Sequence, residues 1–192
     1  MSNTKKMLIE VARQLFAVDG KKEVTMNDIA EASKKGRRTL YTYFNNKEDI
    51  YKAVIDKELD SIIERLEVVQ NEKTEPDVKL TTHIMTHLDA VKDVVDRNGS
   101  LKADFFHDIY EVERKRRKID VKEIAMIRAI ITEGIEKNIF KRMDADLSAI
   151  IIFYAIKGLE VPYIRQNISS EFENNKGSIV EFVFMGIKKK PN

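Results

Sequence analysis

Residues 34–44 read KKGRRTLYTYF. Lys34, Lys35, Arg37 and Arg38 are cations that can neutralise phosphates, and an arginine fork can also grip a guanine edge. Thr39, Tyr41, Thr42 and Tyr43 add neutral hydrogen-bonding groups. At helical spacing Leu40 and Phe44 fall on one face and turn inward, which predicts a short recognition helix carrying its own anchor. A basic run is more often a solvated face, so the elements that would present it to a groove decide the matter.

Upstream, Thr25 to Asp28 has the pattern of a capping box, with the Thr25 hydroxyl accepting from the Asp28 amide and the Asp28 carboxylate reaching back to the Thr25 amide. A helix is predicted to start at Met26, carry Ile29 and Ala30, and give way at Ser33 to Lys35 before Gly36. Two short helices joined by a tight turn result. Before them, Leu8, Ile9, Val11, Ala12, Leu15 and Phe16 recur at helical spacing from about Thr4, and Gly20 is placed to end that helix in a left-handed conformation.

These residues resemble the TetR family of transcriptional regulators. Leu8, Ala12, Leu15, Phe16, Gly20, Thr25, Ile29, Ala30, Thr39, Leu40, Tyr41, Tyr43, Phe44, Lys47 and Glu48 are similar to the family's N-terminal pattern, in order and at its spacing. One departure stands out: where the family has Ala-Gly-Val-Ser before the recognition helix, this chain has Ser33, Lys34, Lys35 and Gly36. The turn is more basic and its glycine is displaced, leaving Ser33 or Gly36 to serve as the cap. The resemblance implies that Arg37, Arg38 and Thr42 read bases, and that Thr25, Tyr41, Tyr43 and Lys47 anchor phosphates.

The chain has 192 residues, of which 43% are apolar, enough to bury a sizeable core. Lys and Arg number 34 against 32 Asp and Glu, so the basicity is local rather than global. With no cysteine, disulfides and thiolate metal sites are excluded. No apolar run approaches the roughly 20 residues of a membrane span, and no signal-peptide core follows the N-terminus, so a cytoplasmic protein with no membrane partner is expected. Three prolines, seven glycines and apolar residues at i, i+3 and i+4 predict an all-α chain.

The expected architecture is an N-terminal three-helix helix-turn-helix DNA-binding domain over 1–46, a linking helix and connection over 47–75, and a C-terminal helical bundle over 76–192. Asn46 can cap the fourth helix through Asp49, and its stripe runs from Ile50 to Val69, ending near Gln70. Pro76 suits a first helical position, and Asn98-Gly99 stops that helix; Ser100 is expected to cap the next. A further helix is predicted over 121–137. Its end, from Glu133 to Phe140, is similar to a second family pattern, with Asn138 as the left-handed residue. Asp144 can cap the helix after it.

That helix is apolar around nearly its whole circumference from Leu147 to Leu159. The last, about 175–188, carries Ile179, Val180, Phe182, Val183, Phe184, Met185 and Ile187. One reading makes them the centre of a monomeric bundle. The resemblance implies instead a homodimer through these last two helices, with Ile150, Ile151, Tyr154, Phe182, Val183 and Ile187 at the interface. A two-fold pair would read two half-sites of a palindromic double-stranded DNA operator.

The resemblance also implies an unidentified small-molecule effector held in the C-terminal helices. Met85, Leu88, Phe105, Phe106, Tyr110, Phe153 and Tyr154 are the candidate pocket residues. His83 and His87 stand one turn apart, and His107 follows. A metal site with Asp104, Asp108 or Glu111 is conceivable, but no hydrolase spacing surrounds the pair, so no metal, cofactor or catalytic residue is assigned. The histidines are expected to cap, face solvent or hydrogen-bond a ligand. Arg114 to Lys118, flanked by Glu111, Glu113, Asp120 and Glu123, reads as a solvated, internally paired face. The function expected is a ligand-released homodimeric repressor, with a ligand-independent DNA-bound adaptor as the alternative and a helical metal-dependent enzyme ranked last.

Overall fold

The structure of the protein is a computed structural model that describes residues 2–99, 110–164 and 176–189, without the side chains of 110–115, 161–164, 176 and 179. The described residues form eight helices: α1 (Asn3–Asp19), α2 (Met26–Ala32), α3 (Arg37–Tyr43), α4 (Lys47–Asn71), α5 (Pro76–Arg97), α6 (Tyr110–Glu136), α7 (Ala145–Ile164) and α8 (Lys176–Ile187). The chain divides into two units, Met1–Asp60 with Asp93–Arg117, and Ser61–Lys92 with Lys118–Asn192. The division runs through α4 and α5 rather than through the loop between them.

Local chemistry explains most helix ends. The α2 capping box is complete, with the Asp28 amide donating to Thr25 Oγ1 at 3.3 Å and the Thr25 amide donating to Asp28 Oδ2 at 2.8 Å. The Thr25 amide, followed by its hydroxyl, holds the Asp28 carboxyl below its ordinary range. Asn46 Oδ1 accepts from the Asp49 amide at 2.9 Å, and Asp144 Oδ1 accepts from the Leu147 amide at 3.0 Å. Gly20 closes α1 with φ 84° and ψ 149°, a positive φ as expected but outside the left-handed helical well.

Among the described residues two non-glycine positions have positive φ, Lys34 at 53° and Asn138 at 61°, and both terminate helices in the same way. The Lys34 and Lys35 amides donate to Glu31 O and Ala30 O. The Asn138 and Ile139 amides donate to Ile135 O and Gly134 O. Each pair is a Schellman closure, which satisfies carbonyls the helix leaves open.

In the first unit, Leu8, Ile9, Ala12 and Phe16 of α1 are buried with Ile29 and Ala30 of α2, Leu40 of α3, and Phe44. Buried Glu58 accepts from Arg97 Nε at 2.6 Å and Asn98 Nδ2 at 3.0 Å, which fixes the end of α5. In the second unit, α5 (Leu80, Ile84, Leu88), α6 (Ile127, Ile130, Ile131) and α7 (Ala149, Ile152, Phe153, Ile156) enclose Phe140 and Ile187. A Cβ at Gly134 would stand 2.1 Å from Phe140 Cδ2, so glycine is required there by packing. Gly134→Ala is expected to destabilise by roughly 1–3 kcal/mol through overpacking, read as a lower denaturation midpoint with an unchanged slope.

α6 begins at Tyr110, well before the predicted 121, so the run from Arg114 to Lys118 is helical. Glu123 is a second correction: it is buried and bonded to histidines, not part of a solvated face. Ile119, Glu123 and Ile127 recur every fourth residue, so Glu123 lies on the inner stripe. The expected cap at Ser100 lies outside the described residues.

Candidate nucleic-acid interface

The α2–α3 pair is built from a reader and its support. Leu40 is fully buried and Phe44 nearly so, while Lys34, Lys35, Arg37, Arg38, Tyr41 and Thr42 are exposed. None of Lys34, Lys35, Arg37 and Arg38 is paired with a carboxylate among the described residues. The turn and α3 together therefore project cations whose charge is uncommitted, while the opposite face of α3 is locked to the core. Thr39 and Tyr43 are half-buried at its flank.

Other expected contact residues already hold partners. The Thr25 hydroxyl donates to Asp28 Oδ2 at 2.8 Å, and the Thr42 hydroxyl donates to Arg38 O at 2.9 Å. Both retain acceptor lone pairs, but their protons are committed within the protein. Lys47 Nζ donates to Lys22 O at 3.0 Å, which ties the start of α4 to the loop before α2 and leaves two of three ammonium protons for a phosphate.

The departure in the turn is resolved by Lys34. It takes the left-handed conformation, while Gly36, with φ −61° and ψ 146°, caps α3 without a side-chain bond, and Ser33 turns its hydroxyl back to Ala30 O. A left-handed lysine is strained relative to glycine. Lys34→Gly is expected to raise stability by roughly 0.5–1 kcal/mol while weakening binding to any duplex through the lost charge. Thermal melts and salt-dependent DNA titration check the two effects separately.

The second unit holds a buried polar cluster. His83, His87, Glu123 and Glu160, from α5, α6 and α7, are all buried. Glu123 Oε1 lies 2.7 Å from His87 Nδ1 and 3.3 Å from His83 Nε2, and Glu160 Oε1 lies 3.1 Å from His87 Nε2. Burial by itself would push the His87 pKa down, but Glu123 and then Glu160 outweigh it and raise it to about 9. Burial likewise works to raise Glu123, and the two histidines outweigh it, lowering its pKa to about 2. A protonated His87 thus bridges two carboxylates. This corrects the expectation that the histidines cap or face solvent. Sequence reasoning misses Glu123 and Glu160 as their partners, although the four-residue spacing around Glu123 carries the signal. Among the described residues no group of three His, Cys, Asp or Glu can hold a metal ion, and His107 lies outside them.

Of the expected pocket residues, Leu88 and Phe153 belong to the core cluster, Met85 is half-buried, and Tyr154 is 60% exposed and so faces away from a pocket. Phe105, Phe106 and the side chain of Tyr110 lie outside the described residues. A polar groove of about 480 Å³ is lined elsewhere, by residues including Gln70, Thr74, Lys79, Glu133 and Lys137.

On α7, Leu147, Ile150, Ile151 and Tyr154 are exposed at i, i+3, i+4 and i+7, and on α8 Phe182 and Met185 are exposed. Of the expected interface residues, Val183 is half-buried and Ile187 is buried in the core, so Ile187 is withdrawn from that face. Its place follows from the chain after α8 turning back, where Ile187 O accepts from the Lys141 amide at 2.9 Å.

An uncommitted cationic helix on a capped helix-turn-helix defines a DNA-binding class of protein. Residues 8–54 match the family described as bacterial regulatory proteins, tetR family. The chain is 25% identical over 186 residues to the fatty acid metabolism regulator protein of Bacillus subtilis, with 95% of each covered. It is similar in structure to a transcriptional regulator of Cytophaga hutchinsonii (TM-score 0.80, 22% identity, 96% of this chain and 98% of that one). It is also similar to the transcriptional regulator FadR of Bacillus subtilis in complex with stearoyl-CoA (TM-score 0.69, 24% identity, 93% and 96%). Residues 8–54, which run from α1 into α4, carry the segment typical of the tetR family, and α1 to α3 form its helix-turn-helix. No helix among the described residues is long and apolar enough to cross a membrane.

Proposed function

We propose that the protein is a homodimeric repressor that holds a palindromic operator and is released by a small-molecule effector. In this reading residues 1–46 bind DNA, 47–75 connect, and 76–192 bind the effector and the second copy. The observation that carries it is the set of unpaired cations on α3 and the turn before it, above a fully buried Leu40. A seven-residue helix reads few base pairs, and a two-fold pair spaced by ~34 Å or a multiple reads two half-sites. The exposed apolar faces of α7 and α8 supply the surface such a pair buries.

The effector class proposed here is supported by the named relatives. One is a fatty acid metabolism regulator and one was crystallised with stearoyl-CoA, which supports an acyl-CoA here, with its chain in the apolar core of α5, α6 and α7. Ligand and operator would bind two different states, so each weakens the other by the same factor. Genomic footprinting to find the operator, followed by anisotropy titration with stearoyl-CoA, tests this. Two chains per palindrome and release by ligand are expected. Affinity unchanged by stearoyl-CoA and by a broad metabolite panel, with a protein partner retained, would favour the adaptor instead.

Within the reader, Arg38→Ala is expected to cost roughly 1–3 kcal/mol at the cognate base pair and relax specificity there, whereas Lys47→Ala weakens all sequences alike and reduces the salt slope. Equal losses on specific and random duplexes for both variants would reject these roles.

A further inference from the structure

His83 leaves one valence of the buried cluster open. Its Nε2 lies 3.3 Å from Glu123 Oε1 and so carries the proton that this carboxylate accepts. Its Nδ1 has no hydrogen-bond partner, although the ring is wholly buried. Both nitrogens of His87 are satisfied, by Glu123 and Glu160. Buried polar atoms in native proteins are almost always paired, and an exception marks a place where something else completes the bond.

We propose that His83 Nδ1 anchors the polar part of the effector, and that this part is a neutral hydroxyl or amide N–H donor carried on an apolar body. This rests on the effector-binding reading of the second unit given above. The chemistry follows from the tautomer. With Nε2 turned to Glu123, Nδ1 is the nitrogen left to accept a hydrogen bond from a ligand. His87 acts as a positioning residue, since by bridging Glu123 and Glu160 it holds the carboxylate that sets the tautomer of His83.

The surroundings select the rest of the molecule. Leu80 and Ile84 flank His83 on α5, and both belong to the core cluster with Leu88, Ile127 and Phe153, so the remainder of the ligand is apolar. An ammonium would have to leave its water for that core, which costs far more than for a neutral donor. A fatty carboxylate is disfavoured twice, because it finds no proton at Nδ1 and meets Glu123 and Glu160 on the same cluster. An acyl-CoA carries amide N–H and hydroxyl donors on its pantetheine arm, whereas a free fatty acid at neutral pH carries none. The site therefore favours the activated or amidated form of an acyl chain over the free acid.

The test uses four probes with one chain length: octanamide, 1-octanol, methyl octanoate and octanoate, titrated calorimetrically into the full-length protein. Octanamide and octanol are expected to bind roughly tenfold more tightly than methyl octanoate, the worth of one hydrogen bond, and octanoate more weakly still. In protein with ¹⁵N-labelled histidine, saturation with octanamide is expected to shift the Nδ1 resonance of His83 more than either nitrogen of His87. His83→Phe should remove the preference for octanamide while methyl octanoate still binds. The resonance in the unaltered protein keeps the test valid if that variant does not fold. Equal affinity for the four probes, no binding of any, or an unmoved Nδ1 resonance overturns the proposal. Operator release by stearoyl-CoA separates it from the wider reading: release undiminished in His83→Phe sinks the anchor alone, whereas no release from the unaltered protein sinks the acyl-CoA repressor.

Discussion

Glu123→Leu is expected to destabilise the protein by roughly 3–5 kcal/mol, the cost of breaking a buried ion pair by removing one member, and to lower the melting temperature on the order of 10 °C. Glu123 is 1% exposed and takes bonds from both His83 and His87, so its loss leaves the His87 charge facing only Glu160. The loss belongs to the under-compensated charge and not to the helices. Replacing His83, His87, Glu123 and Glu160 together by apolar residues of similar size should therefore recover most of the stability. Equal losses for the single and the concerted replacement would show that packing, not charge, holds the cluster.

The same pair fixes a pH profile. His87 is raised from 6.5 to about 9, so its contribution is complete below pH 6.5 and is lost as pH rises through 9. Glu123 is lowered from 4.5 to about 2, so its contribution is complete above pH 4.5 and is lost as pH falls through 2. Denaturant melts should show a plateau between those inner limits and a decline on either side. Glu123→Leu should lose the acid edge due to Glu123 and shrink the alkaline one. An unaltered profile in the variant would remove the ion pair as its source.

Ile151→Asp combined with Phe182→Asp is expected to turn the protein into a folded monomer and to lower operator affinity by roughly 10²–10⁴-fold, the usual worth of a second linked site. Both side chains are largely exposed in the single chain, at 60% and 78%, so each substitution removes little packing within it. Binding to an isolated half-site should stay as it was, because α3 is untouched. Sedimentation and anisotropy check the two halves together. A double variant that stays dimeric, or that binds the full palindrome normally, would place the interface elsewhere.

Interactions that span three or four residues are legible in the order of the amino acids. The Thr25 capping box, the Asn46 and Asp144 caps, the Asn138 closure and Pro76 at the start of α5 all act within a turn or so of their own position. Lys34 is not legible as the left-handed residue. Glycine is the default for that conformation and Gly36 stands close by, yet the Schellman closure of α2 imposes it on whichever residue follows the helix's last turn.

Propensity, capping and periodicity act through neighbours along the chain. The helical class, the position and charge of α3, and most of the points where helices start and stop therefore follow from the residues alone. Long-range packing is what brings His83 and His87 to Glu123 and Glu160, turns Ile187 inward and leaves Tyr154 outward. Glu123 and His87 are 36 residues apart and His87 and Glu160 are 73 apart. Such pairs form when α5, α6 and α7 bury their common stripe, and the packing that buries a charge also selects the charge that must oppose it.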